Sequence, residues 1–208
     1  MDTLSATDCP EGASWLKGAL HTHTTCSDGV LTPPELLSVY QGLGFDFVAL
    51  TDHDFLLRPN AYADVPKEYN GMLVLRGVEK TIFARGYVHV NYIFGDSDEL
   101  HIFNHPAEYG YTFPQMCERI QSVHEQVRLD AVEITQKGFY TPEYDVPTIP
   151  FPKVASDDAH TREACGRAWV EVFAARTPDA IVHAIRSGRV RNHCSHLAGT
   201  YAWSCTQR

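Results

Sequence analysis

Histidines and carboxylates recur in short clusters along the chain: His21-Thr22-His23, Thr51-Asp52-His53, Gly77-Val78-Glu79 and Asp158-Ala159-His160. Asp28, His89 and His105 lie between them. Imidazole is a common ligand for zinc, iron and manganese class ions, and a carboxylate can bridge two of them. Four carboxylates (Asp28, Asp52, Glu79, Asp158) and six histidines are more than one tetrahedral ion uses. They suit about two or three ions. Closely spaced ions clamp the attacking and leaving oxygens of a phosphoryl group and lower the pKa of bound water, so the chemistry indicated is hydrolysis. A lone histidine is usually an ordinary surface or core residue, and His101, His124, His183, His193 and His196 read that way, the last two in a polar tail. The weight lies in the conjunction, because each cluster falls at the end of an apolar, strand-like run.

Those runs must position the ligands. Residues 15–22 read as a strand delivering the first histidine pair. Pro33, Pro34 and Glu35 open a helix with Leu36, Leu37, Tyr40 and Leu43 on its apolar face and Gly44 as its C-cap. Strands are expected over 45–50, 72–78, 87–94, 100–104, 130–135 (carrying Glu133), 153–156 and 168–174. Helices are expected over 113–127, where Met116, Ile120, Val123 and Val127 keep helical spacing, and over 178–187, stopped by Gly188. Alternating strands and helices predict an α/β protein with a parallel sheet. Such barrels carry their sites at the C-terminal ends of the strands. Residues 1–13 read as a loose arm and 14–208 as one domain, with 138–152 a long ordered loop at the rim of the site.

With 208 residues, 44% of them hydrophobic and 21% charged, the composition is ordinary for a globular protein. The net charge of −9 argues against general nucleic-acid binding, although bound cations can invert the local charge for a phosphorylated substrate. No apolar run approaches the roughly 20 residues of a membrane span. The N-terminus shows no basic stretch leading into an apolar one, and the six cysteines form no CxxC pair. The expectation is a cytoplasmic protein with reduced thiols. Oligomeric state is not legible.

In order along the chain, Leu20-His21-Thr22-His23-Thr24, Ser27-Asp28-Gly29, Leu50-Thr51-Asp52-His53-Asp54, Gly77-Val78-Glu79, Asn104-His105-Pro106 and Ser156-Asp157-Asp158-Ala159-His160 resemble the motif set of the PHP (polymerase and histidinol phosphatase) family of metal-dependent phosphoesterases. The resemblance runs from about Trp15 to about Val190. It implies a distorted (β/α)7 barrel holding two to three divalent ions, manganese, zinc or iron. It also implies their ligands. One ion takes His21, His23 and Asp158 with Glu79 bridging. A second shares Glu79 and takes His89 and His105. A third takes Asp28, His53 and His160, with Asp28 standing where some members use histidine. Asp52 is expected to orient an imidazole. Only fifteen residues separate His89 from His105, too few for the long helical insertion of some nucleotide-directed members.

The activity implied is hydrolysis of a small phosphorylated metabolite through a metal-bridging hydroxide. Arg162, then Arg167 and Lys137, are the basic groups expected to share the developing charge. Two alternatives stand beside it: hydrolysis of a cyclic phosphodiester, amide or lactone, and a non-catalytic metal-binding accessory module. A structural zinc site is disfavoured, since such sites prefer closely spaced cysteines. Phe139, Tyr109, Tyr111, Tyr140 and Tyr144 lie in loops after site strands, where they either stack on a substrate ring or pack the rim.

Overall fold

In the computed structural model, which describes residues 12–194, each of three helices begins on a threonine with proline in the first turn. These are α1 (Pro33–Gly42) after Thr32, α2 (Phe113–Gln126) after Thr112 and α3 (Pro178–Arg186) after Thr177. Proline costs nothing there, because the first N–H groups of a helix have no partner within it. The Glu35 carboxylate accepts from the N–H and hydroxyl of Thr32 at 2.8 and 2.7 Å. Gln115 accepts in the same way from Thr112, at 3.0 Å from both groups. Both are capping boxes, which anchor a helix start and so aim its apolar face.

The strands are β1 (Ser14–Ala19), β2 (Phe47–Leu50), β3 (Glu68–Tyr69), β4 (Met72–Phe83), β5 (Tyr87–Phe94), β6 (Glu99–Phe103), β7 (Ala131–Glu133), β8 (Thr135–Gln136), β9 (Phe139–Tyr140), β10 (Lys153–Val154), β11 (Ala168–Ala174) and β12 (Val190–Cys194). Along the main sheet the order is β10-β7-β6-β5-β4-β2-β1-β11-β12, with β3 paired to β4. Parallel pairing joins β10 to β7, β7 to β6, β4 to β2 and β2 to β1. The sheet wraps into a nearly closed, distorted barrel.

The expected parallel sheet is parallel only in part. The pairs β4–β5, β5–β6, β1–β11 and β11–β12 are antiparallel. Only Ala84, Arg85 and Gly86 separate β4 from β5, far too few for a crossover helix. The strand expected over 72–78 runs on to Phe83 because it pairs along its length with β5. The run expected over 130–135 breaks after Glu133, and Thr135–Gln136 leaves the sheet to form a hairpin with Phe139–Tyr140. Residues 190–194 are a strand rather than tail, and His193 stacks on Trp169 with ring centroids 5.2 Å apart. His196 and most of the expected N-terminal arm lie outside the described residues.

Three apolar clusters follow from this wrap. Leu16, Leu20, Phe47, Leu75, Ile93 and Val170 fill the interior and meet the buried face of α3. Leu36, Leu37 and Tyr40 seat α1 on Val48 and Leu50. Met116, Ile120 and Val123 seat α2 on Val90 and Phe103. Gly18 is obligatory in the interior, since an added Cβ would run into the ring of Phe47. Among the described residues, no helix is long and apolar enough to cross a membrane, and Cys26, Cys117 and Cys165 are free thiols.

A buried side chain joins the barrel's two end strands. Asn192 of β12, 2% exposed, accepts from the Ala155 N–H at 2.7 Å and donates to the Lys153 carbonyl at 3.0 Å. Its amide thus stands in for a strand-to-strand ladder. The Asn192→Ala variant is expected to lose about 1–3 kcal/mol of stability, because a buried N–H and a buried C=O lose their partners. Urea unfolding checks this, with an unchanged midpoint as the contrary result.

Candidate metal centre

His21 and His23 emerge just past the end of β1. Residues two apart on extended backbone share a face. The intervening Thr22 forms a parallel bridge with Ala159, and the His23 N–H donates to the Ala159 carbonyl at 2.9 Å. This lays the first histidine pair alongside Asp158-Ala159-His160. A second parallel bridge, His53 with Glu79, extends the β2–β4 pairing in the same direction. Ligands from distant parts of the chain therefore arrive on one rim.

Glu79 is the hub, 1% exposed. Its Oε1 lies 3.2 Å from His21 Nε2, 3.1 Å from His105 Nε2 and 3.3 Å from His89 Nδ1. Its Oε2 lies 3.3 Å from His23 Nε2 and 3.0 Å from His53 Nδ1. Asp158 Oδ1 faces His21 Nε2 at 3.4 Å and His23 Nε2 at 3.3 Å, and those two nitrogens are 3.0 Å apart. Asp28, on the open side, lies 3.3 Å from His160 Nε2 and 3.5 Å from His53 Nε2. The structure thus brings together His21, His23, Asp28, His53, Glu79, His89, His105, Asp158 and His160. Their groupings are His21, His23 and Asp158; His21, Glu79 and His105; His53, Glu79 and His89; and His23, Asp28, His53 and His160.

These residues fit divalent ions on their own geometry. His53 Nδ1 and Glu79 Oε2 approach to 3.0 Å, yet neither makes a hydrogen bond. His89 Nδ1 and His105 Nδ1 are likewise buried without one. Buried polar atoms in native proteins are normally satisfied. Atoms that converge at this spacing without donating to each other are arranged around shared points. Histidine and carboxylate make a donor set suited to manganese, zinc or iron.

Outer contacts orient the ligands. Asn104 donates to Glu79 Oε1 at 2.8 Å and to Asn91 at 2.9 Å, and Asn91 donates to the Leu20 carbonyl at 3.1 Å. Buried Glu133 faces His21 Nδ1 at 3.4 Å and accepts from the His105 N–H at 2.8 Å and the Ser156 hydroxyl at 2.6 Å. Glu108 lies 3.2 Å from His105 Nδ1. His105 and Asp158 both have left-handed backbone, with φ of 27° and 46°. Such strain persists only where surrounding contacts hold it, and it concentrates at functional sites.

Two expected catalytic residues are placed differently. Asp52 faces no imidazole. It accepts from the Thr24 N–H and hydroxyl at 2.7 and 2.8 Å and from the Ser27 and Tyr62 hydroxyls at 2.5 Å each. It therefore ties the loop bearing Asp28 to the segment after β2. Arg162 is exposed, and its charge bears on Glu35, Glu163 and Cys165. Arg167 donates to the Glu163 carbonyl at 3.1 Å. Lys137 reaches the site, 3.8 Å from Glu108. Sequence reasoning placed Glu133 on a strand without giving it a site role, and missed Glu108. The first carried a signal, a carboxylate at a strand end, whereas the second sits in a single 3-10 turn with none.

Charge and burial compete at the hub. Burial disfavours a charged His23, but the adjoining carboxylates of Asp158 and Glu79 outweigh it and carry its pKa up to about 9. Burial likewise opposes charge on His21, yet Glu79 and Asp158 raise it well above the usual histidine range. Burial pushes the neighbouring Asp157 up to about 7 despite a 2.7 Å bond from Tyr40.

The comparisons with known proteins agree with this geometry. Residues 148–190, which include Asp158 and His160, match the family model described as PHP-associated. A two-domain protein from Bacteroides vulgatus, described as containing a predicted PHP-like metal-dependent phosphoesterase, is 21% identical. It aligns over 90% of this chain and 68% of its own, with a TM-score of 0.65. PsfC from Pseudomonas syringae is 14% identical over 90% of this chain and 93% of its own, with a TM-score of 0.64. A 5'-3' exoribonuclease from Haemophilus influenzae is 30% identical over 118 residues, which is 57% of this chain. The chain matches 38% of that relative's length. The fold is that of the PHP-like proteins, and the resemblance read from the motifs is borne out.

A ligand imidazole must be neutral, whereas the carboxylates of Glu79 and Asp158 favour the charged form of the His21–His23 pair. Metal binding at pH 7 is therefore expected to release protons, with affinity rising as pH approaches about 9. Titration calorimetry in buffers of different ionisation enthalpy reads this directly. An uptake independent of buffer and pH would contradict it.

Proposed function

We propose that the chain is a metal-dependent phosphoesterase that hydrolyses a small phosphorylated compound. The observation that carries this reading is the single buried carboxylate of Glu79 shared by five imidazoles, beside a second grouping around Asp28. Such a set suits about two to three divalent ions. Bound there, they would supply Lewis-acid stabilisation of phosphoryl oxygens and activation of water at neutral pH. The Bacteroides vulgatus neighbour and the exoribonuclease relative are both named for cutting phosphoester bonds, which supports the same class here.

The protein's own residues do the remaining work. His21, His23, Asp158 and Glu79 would form the buried inner site. His89 and His160, with side chains 26% and 30% exposed, stand on the solvent side. Asn104, Asn91 and Glu133 hold ligand orientation, and Asp52 holds the Asp28 loop.

A second reading is cleavage of a nucleotide unit from an RNA 5′ end. The exoribonuclease relative favours it, as does Phe55, whose ring is 68% exposed and lies 5.2 Å from that of His53. Exposed aromatic rings offer a stacking platform for bases. The net charge of −9 weighs against a long nucleic-acid substrate.

Protein reconstituted with manganese should release phosphate from a panel of phosphate monoesters, and chelation should stop it. His21→Ala should reduce turnover to background while the far-UV spectrum stays native. Activity confined to 5′-phosphorylated RNA would select the second reading. Release of phosphate by His21→Ala at the wild-type rate would sink both.

A further inference from the structure

We propose that Lys137 recognises the substrate phosphate, with Glu108 occupying its ammonium until the phosphate arrives. The proposal rests on the phosphoesterase reading and adds a recognition residue to it.

The turn that carries Lys137 is unusual for a lysine. Thr135 pairs with Tyr140 and Gln136 with Phe139, leaving Lys137-Gly138 as a two-residue turn. Both have positive φ, 51° and 83°. That is the tight hairpin geometry in which asparagine, aspartate or glycine normally occupies the first position. A lysine there is disfavoured by its own side chain, so its presence calls for a reason outside the turn. The turn is also fixed from below. Gly138 admits no side chain, because an added Cβ would run into Arg167. Lys137 thus extends from an anchored base.

Its direction supplies the reason. Lys137 Nζ lies 3.8 Å from one oxygen of Glu108, and the other oxygen lies 3.2 Å from His105 Nδ1. Glu108, His105 and Asp158 each present an atom within 4.8 Å of the others. The ammonium is therefore held at the edge of the metal centre by a carboxylate that itself touches a ligand. The Lys137 and Glu108 side chains are 59% and 38% exposed. An exposed pair at this distance is weak and exchanges readily. A phosphate group entering the centre presents more negative charge and more acceptor oxygens than the carboxylate, so the ammonium would transfer to it.

The test uses manganese-loaded protein and two probes, inorganic phosphate by titration calorimetry and 4-nitrophenyl phosphate by steady-state kinetics. Lys137→Asn is the informative variant, because asparagine suits the turn while removing the ammonium. Its phosphate Kd and its KM should each rise about tenfold, the loss of one charge-assisted hydrogen bond, with kcat falling by a smaller factor. Metal content should stay at the wild-type value. Lys137→Arg should restore most of the binding, which a purely structural role of the turn would not produce. Unchanged Kd and KM in Lys137→Asn with metal content intact would overturn the proposal and leave the phosphoesterase reading standing. Wild-type protein that neither binds phosphate nor cleaves any phosphoester would overturn both.

Discussion

One buried carboxylate organises the molecule. Removing a charge from water costs several kcal/mol, and the cost is met only by partners placed to compensate it. Burial alone would push the Glu79 carboxyl up. The charge on His21 and the imidazoles of His105 and His23 beside it instead hold it well below the usual carboxylate range. The five imidazoles around it come from four separate stretches of chain, so the backbone must deliver each to within about a hydrogen-bond length of the same group. The left-handed backbone at His105 and Asp158 shows that the demand overrides local preference.

The architecture follows from that demand. Parallel pairing of β1, β2 and β4 sends His21, His23, His53 and Glu79 to one end of the barrel. The antiparallel pairs β4–β5 and β5–β6 bring His89 back across Glu79, which a purely parallel barrel would not do. His89 is fixed there by its N–H donating to Tyr109 at 2.7 Å. At the far end, α3 packs its buried face into the interior, and Asn192 joins the end strands. Apolar packing and one amide thus hold the frame, while polar residues that do not touch Glu79 set the angles of those that do.

Much of this was legible in the residue order. The proline start of α1, the apolar spacing within α2 and the Gly188 stop after α3 are local signals and place the helices within a residue or two. Strands at 87–94 and 168–174 match β5 and β11, because continuous or alternating apolar residues sufficed. The ligand set was legible because metal chemistry demands particular residue types at strand ends. What was not legible depends on contacts between distant segments. Val190–Cys194, with a single aliphatic residue among polar ones, becomes a strand only because β11 offers it a partner. Asp52 sits beside a ligand in sequence, yet its carboxylate turns to Thr24, Ser27 and Tyr62, because a buried acid takes whichever donors the tertiary fold brings. Glu108 comes to His105 through one tight turn with no periodicity to betray it.

The most direct test of the central claim is metal content per chain, by inductively coupled plasma mass spectrometry, for wild-type protein and Glu79→Ala after reconstitution with manganese. A shared carboxylate predicts about two to three equivalents in the wild type and a loss of at least one in the variant. One equivalent or less in the wild type, or equal content in the two proteins, would show that Glu79 is not the hub of a multinuclear centre.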